Sequence, residues 1–580
     1  MPPLNRSAQN PMPITGVHVC LKHFVLLFCY LLMITACSAD NKNTTPATGQ
    51  LTQDDLKDIT VELHEHIAVL ASDEFGGRAP ASKGEALTTA YIADKFKALG
   101  LSPGNGNSYL QEVPVTESIT DADTSLNVIG NGFEANFHYG DQVVAFSEQQ
   151  VESTAIVNSE LVFVGYGIVA PERGWDDYAG IDVSGKTVIM LVNDPGYATQ
   201  DPSVFNGNAM TWYGRWPYKF EEAARQGAAG AFIIHETGAA AYGWDVVYSS
   251  WSRPQIGLTA KNRNLDKSKV IGWMSQESAR QLFAGAGLDY DSQIAAAAQP
   301  RFRSLPMGDL KASMSLHNTI NASVSNNVIG LVAGNARPDQ AVIYTAHWDH
   351  LGTNPKIEGD NIFNGARDNA SGIAGLLSLA RLFSELPQNP ERTVAFLAVT
   401  AEESGLLGSS WYAQNPLLEL DTTVANINID GMNVWGPMRD MVIIGYGNSE
   451  LEDYLRDALK NQKGRYTAPE PHPERGYYYR SDHLNFARQG VPALYARSGE
   501  DSFDHGREWG ARQWQQYTDE RYHAPGDEYD PAWDLSGAAL DLMLYFDIGL
   551  RLTMEAGYPN WYEGNEFRNI RDASASARDK

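Results

Sequence analysis

The sequence predicts an α/β fold, a mainly parallel central sheet flanked by helices, with a mainly β region inserted into it. Three observations carry this. From about residue 320 to 555, short apolar runs ("AVIYTAHW", "TVAFLAVTAEE", "TVANINIDG", "VPALYAR") alternate with helical patterns such as "SGIAGLLSLARLFSEL". Continuous apolar runs of that length read as strands buried on both faces, and strand, helix, strand repetition makes the sheet parallel. From about 125 to 315 the texture changes to β-rich runs ("ELVFVGYGIVA", "KTVIMLVND", "AAGAFIIHE") broken by Gly, Asp and Pro turns.

The elements follow in order. After Lys22, "FVLLFCYLLMITA" is too short to span a bilayer and fits the core of an export signal. "SADNKNTTPATGQ" after it reads as a flexible tether. Residues 53–70 form a helix, and the His64-Glu65-His66 within it lacks the i, i+4 spacing that puts two imidazoles on one face, so it is assigned to the surface. A second helix runs from about Lys83 to Leu99. The expected division is a signal peptide over 1–37, a tether over 38–52, the first part of the main domain over 53–124, the insert over 125–315, the remainder of the main domain over 316–560 and a C-terminal tail over 561–580.

Within the insert, "GIDVSGKT" satisfies the phosphate-loop pattern, but a strand follows it instead of a helix, so no helix N-terminus meets a phosphate. A net charge of −27 argues the same way against nucleic acid, which needs clustered Lys and Arg. The only cysteines are Cys20, Cys29 and Cys37, so beyond the signal region there is no disulfide, thiol nucleophile or cysteine metal site. No Gly-x-Ser-x-Gly elbow marks a serine hydrolase.

Ligands of parallel α/β sheets bind beyond the carboxyl ends of the strands. His347 and Asp349 follow "AVIYTA", Glu402 and Glu403 follow "TVAFLAVTA", and Asp430 follows "TVANINI". Asp368 lies in "NGARDNASG" and His523 in "RYHAPGDEYD". Each alone is an ordinary turn or cap residue, but carboxylates crowded at one sheet edge repel unless cations compensate them. Oxygen and imidazole donors without sulfur suit zinc, with manganese or cobalt as substitutes.

Several motifs carry resemblances. "MITAC" resembles a bacterial lipoprotein signal, which implies lipidation of Cys37 and a periplasm-facing outer-membrane anchor; cleaved secretion is the alternative. "GWDDYAGIDVSGKTVIMLVND" with "KFEEAARQGAAGAFIIHE" resembles the protease-associated domain inserted in exported peptidases. "AHWDHLG", "NGARDNASG", "AEESGLLGS", "NIDGMN" and "RYHAPGDEYD" are similar, in order and approximate spacing, to the dizinc aminopeptidases of metallopeptidase family 28, which have a zinc exopeptidase fold.

That resemblance implies two Zn2+ ions per chain and peptide substrates. His347 and Asp430 match ligands of one zinc, Glu403 and His523 those of the other, and Asp368 the bridging carboxylate with a cis bond to Asn369. Glu402 matches the general base. Asp349 is the natural partner fixing the His347 tautomer, and His350, Asp482 and His483 are assigned supporting roles. Tyr478, three residues before Ser481, matches the tyrosine that stabilises the tetrahedral intermediate, with Tyr477 and Tyr479 one position away on either side. Carboxypeptidase action, glutaminyl cyclisation and a catalytically silent binding protein are the alternatives. Substrate preference and oligomeric state are not legible.

Overall fold

The computed structural model describes residues 51–121 and 124–578. The expected signal peptide, Cys37 and all but the last two residues of the expected tether lie outside the described residues. Among the described residues, no helix is long and apolar enough to cross a membrane.

Helix α1 (Gln53–Leu70) starts at a reciprocal cap, in which the Thr52 hydroxyl accepts from the Asp55 N–H and the Asp55 carboxylate accepts from the Thr52 N–H at 2.7 Å. Thr52 therefore belongs to the helix. Ile59, Leu63, His66, Ile67 and Leu70 are the buried face of α1. This corrects the surface assignment of His66, which lies on that apolar stripe, 9% exposed, with Nδ1 2.7 Å from the Tyr91 hydroxyl of α2 (Lys83–Ala98). Burial pulls its pKa down to about 4.

Strand β1 (Leu110–Thr120) leads into the insert. There β2 (Ser153–Phe163), β3 (Thr187–Leu191), α3 (Trp216–Arg225), β4 (Gly230–His235), β5 (Val270–Ser275) and α4 (Gln276–Gly285) follow in turn. The strands pair in parallel in the order β2-β3-β4-β5, and α3 and α4 pack against β4 and β5. The insert thus mixes helix with strand. Thr187, the end of the phosphate-loop pattern, is the first residue of β3, so no helix begins there.

The 28-residue strand β6 (Leu305–Val332) joins the insert to the main sheet. Its first half pairs with β2 and its second half with β1. The main sheet continues through β7 (Arg337–His347), helix α5 (Ser371–Ser384), β8 (Arg392–Val399), β9 (Thr423–Asn428), β10 (Asp440–Ile443) and β11 (Ala493–Ser498), and the helix α6 (Ser536–Met554) follows. Its order is β1-β6-β8-β7-β9-β11-β10, the four strands from β8 to β11 being parallel and the flanking ones antiparallel. All eight positions of β8 are buried, as a strand covered on both faces requires. Helices α1, α5 and α6 close one face in a single core, and Tyr412, Phe486 and Val491 pack against the other.

The segment expected as a tail is folded. Arg568–Arg578 is a helix, Trp561 is fully buried, and Arg571 donates to the Thr423 and Val424 carbonyls at 2.9 and 3.0 Å.

Candidate metal centre

Parallel register brings the candidate residues together. His347, the last residue of β7, pairs with Val399, the last of β8, and Thr345 pairs with Asn428, the last of β9. Glu402, Glu403 and Asp430 therefore leave neighbouring strand ends at one level. Asp368 enters on the turn before α5, and His523 on the loop between helix Arg507–Glu520 and α6.

Asp368 is central. Its Oδ1 lies 3.3 Å from His347 Nε2 and its Oδ2 lies 3.4 Å from His523 Nε2. His347 Nε2 is also 3.4 Å from Asp430 Oδ1, and His523 Nε2 is 3.1 Å from Glu403 Oε2. One carboxylate faces two imidazole–carboxylate pairs, one through each oxygen. Zinc bonds of about 2.0–2.2 Å give a tetrahedron with edges of about 3.3–3.6 Å, so the donor separations suit a cation in each half.

The charged groups of the cluster act strongly on one another. Burial opposes charge on His347, yet Glu402, Asp368 and Asp430 together hold its pKa well above the usual imidazole range. His523, likewise opposed by burial, is raised to about 10 by Glu403 and Asp368. Against burial, the two histidines hold Asp368 well below the carboxylate range, and His523 with His350 lowers Glu403. Carboxylates that favour positive charge on each imidazole would equally favour a metal cation there.

The surroundings hold the donors in place. His347 Nδ1 donates to the Asp349 carbonyl oxygen at 3.2 Å, which turns Nε2 toward Asp368 and Asp430. The tautomer was expected to rest on the Asp349 carboxylate. That carboxylate is 3.9 Å from Nδ1 and instead accepts the backbone N–H groups of Glu402 at 3.0 Å and Glu403 at 3.4 Å. His350 Nδ1 contacts Glu403 Oε1 at 2.8 Å, and the Ser409 hydroxyl donates to Asp482 Oδ1 at 2.6 Å.

The Asp368–Asn369 peptide is cis. Asn369 accepts from the Gly431 N–H at 3.0 Å and donates to the Ile429 carbonyl at 3.0 Å, tying the Asp368 turn to the Asp430 loop. Two further positioning residues were not singled out, Asp527 in the quoted RYHAPGDEYD and Arg78 before the second helix. Asp527 accepts the Asp368 N–H at 3.1 Å. Arg78, 1% exposed, donates to the carbonyls of Trp348, Leu70, Asn364 and Gly365 at 2.6–2.9 Å, clamping the loops that carry His347, His350 and Asp368.

Glu402 has a free carboxylate: among the described residues it makes no hydrogen bond or ion pair. Burial raises its pKa well above the usual range, with His347 pulling the other way and Glu403, Asp430 and Asp482 adding to the rise. One of its oxygens comes within 4.8 Å of donor atoms of both His347 and Asp430.

Tyr478 is placed elsewhere. It is 3% exposed in the core shared with the insert, its ring lies 4.5 Å from that of His483, and its hydroxyl has no hydrogen-bond partner among the described residues. The charges that bear on it after burial are Glu566 and Glu452, which are not among the donors. The Tyr479 hydroxyl donates to Glu566 at 2.8 Å. Two tyrosines lie at the cluster instead: Tyr495 of β11, whose hydroxyl donates to the Asp430 carbonyl at 3.4 Å and whose pKa is raised first by burial and then by Asp430, and Tyr522, whose ring stacks 3.9 Å from that of His523.

An oxygen- and nitrogen-only double cluster at the ends of a parallel sheet defines a metal-binding α/β protein. Residues 327–547 match peptidase family M28. Among curated proteins, aminopeptidase NAALADL1 of Mus musculus is 35% identical over 132 residues, covering 22% of this chain and 16% of the relative. Aminopeptidase YwaD of Bacillus subtilis is 36% identical over 108 residues, covering 18% of this chain and 21% of the relative. The matched stretch thus spans about a fifth of these relatives' length. Among solved structures, an aminopeptidase from Aneurinibacillus sp. strain AM-1 is similar with a TM-score of 0.48 and 19% identity, over 87% of this chain and 97% of the other.

Proposed function

We propose that the protein is an exported, zinc-dependent aminopeptidase that removes N-terminal residues from peptides at a two-metal site. The observation that carries this reading is the division of Asp368, with one oxygen toward His347 and Asp430 and the other toward His523 and Glu403. His347 and Asp430 would hold one ion, Glu403 and His523 the second, and Asp368 both. Bound there, the ions supply Lewis acidity, lowering the pKa of a water and polarising the scissile carbonyl.

The chain's own residues do the rest. Glu402, free of partners, accepts the proton of the attacking water and returns it to the leaving amine. Asp349 aims that base, because its carboxylate holds the N–H groups of Glu402 and Glu403. The names of the curated relatives, both aminopeptidases, support the amino-terminal direction of cleavage. Export through a lipid-anchored Cys37 and identity of the insert as a protease-associated domain rest on the sequence motifs.

The test is metal content per chain together with hydrolysis of aminoacyl-nitroanilides, before and after chelation. About two zincs with chelator-sensitive release is the expected result. Absence of bound metal after zinc addition, or full turnover without it, refutes the reading.

A further inference from the structure

The chain has 71 acidic residues against 44 basic ones, so an arginine without a carboxylate partner is unexpected in it. Two such arginines, Arg215 and Arg480, adjoin each other, and a third, Arg497, shares Tyr477 with Arg480. Arg480 lies close enough to Arg215 to disfavour its charge; burial, and after it Arg480, lowers the Arg215 pKa to about 9. Arg215 Nε and Arg480 Nε and Nη2 are buried with no hydrogen-bond partner among the described residues. Arg215 is only 9% exposed. The Arg497 side chain makes no hydrogen bond or ion pair among the described residues, and its guanidinium lies 3.8 Å from the centre of the Trp514 ring.

Aromatic rings hold these cations together. The Arg480 guanidinium is 5.4 Å from the Tyr477 ring and 5.9 Å from that of Tyr242. Burial lowers the Arg497 pKa and Arg367 adds to the fall, while Tyr495 and Tyr477 favour its charge. Arg497 follows Tyr495 by two positions on β11, so the two side chains share a face of the strand, and Tyr495 touches Asp430. Ser481, next to Arg480, accepts from Asn428 at the end of β9. A carboxylate that acts on Arg497, Glu470, makes no ion pair with it, accepts the Gly445 N–H at 2.8 Å and is raised to about 7 by burial.

Guanidinium groups stay charged, and an uncompensated pair of them is costly inside a protein. We propose that Arg215, Arg480 and Arg497 form a subsite for a carboxylate of the peptide substrate, either its free C-terminus or an acidic side chain. Arg215 and Tyr242 come from the insert, so the insert completes the substrate pocket. The planar guanidinium fork matches a carboxylate bidentately. The identity of the ligand as a peptide rests on the function proposed above.

The test uses peptides blocked at the N-terminus, which an aminopeptidase cannot cut. Calorimetry on the zinc-loaded full chain compares acetyl-Ala-Ala, acetyl-Ala-Ala-amide and acetyl-Glu-amide. At least one anionic probe should bind about tenfold or more tightly than the neutral amide, the worth of one charged hydrogen bond. The anionic probe that gains shows which carboxylate is recognised. Arg480→Met and Arg497→Met should each abolish that preference; both residues are partly exposed, and a thermal melt confirms folding where Arg215→Met fails to fold.

Equal affinity for the three probes, failure of both anionic probes to bind, or a preference that survives both variants overturns the subsite. Loss of nitroanilide turnover with the preference intact would overturn the aminopeptidase reading and leave the subsite standing.

Discussion

Replacing Glu402 with Gln keeps the shape of the side chain and removes the proton acceptor and its charge. The Glu402 carboxylate makes no hydrogen bond or ion pair among the described residues, so no contact is lost. Burial first, with Glu403, Asp430 and Asp482, disfavours its charge and outweighs the pull of His347, so removing the charge leaves the folded state at least as stable. Loss of a positioned general base costs about 10²–10⁴ in kcat, or roughly 3–5 kcal/mol at 1.36 kcal/mol per decade. The assay is nitroanilide release with parallel measurement of zinc content and a urea melt. Full zinc, an unchanged melt and kcat reduced by two orders of magnitude or more are expected. A kcat within about threefold of the parent at full zinc refutes the base assignment. Loss of one zinc would instead make Glu402 a ligand, completing the group it forms with His347 and Asp430.

Arg78→Met should destabilise the chain by about 3–5 kcal/mol, since it removes a buried cation from carbonyls on three segments, and should weaken zinc retention; a loss below about 1 kcal/mol in urea denaturation contradicts the clamp. His66, held near 4 in the folded chain against 6.5 unfolded, contributes stability that is complete above pH 6.5 and lost as pH falls through 4. His66→Gln should therefore remove roughly 3 kcal/mol of the stability difference between pH 7 and pH 4, and an unchanged difference in denaturant midpoints rules this out. Tyr478→Phe should leave kcat within about twofold and stability equal or higher, because its hydroxyl is buried without a partner. A hundredfold fall in kcat would return Tyr478 to the site.

His66 was legible and misjudged. It follows Leu63 and Ile59 at helical spacing and so lies on the apolar face, whereas the spacing of the two histidines tests only for a shared metal. Tyr478 was placed by its distance from Ser481, but the short helical turn Tyr477–Tyr479 directs it into the core. Tyr495 carried a signal in its strand, "ALYARS", where alternate positions are half-exposed, and two of them are Tyr495 and Arg497. Asp349 shows a finer limit: sequence proximity to His347 identified the residue, but which of its oxygens touches the imidazole depends on backbone geometry.

The sequence by itself determined the parallel sheet, because period, run length and flanking turns are local properties of the chain. It also determined which carboxylates and imidazoles leave the strand ends, since each follows its apolar run directly. Only the tertiary structure decided how these groups are shared, because strand register and loop direction set which oxygen of Asp368 meets which histidine. The same holds for the arginine cluster: Arg215 reaches Arg480 because the long strand β6 carries both sheets and the insert packs against the main domain, a contact between residues too distant in the chain for any local pattern to encode.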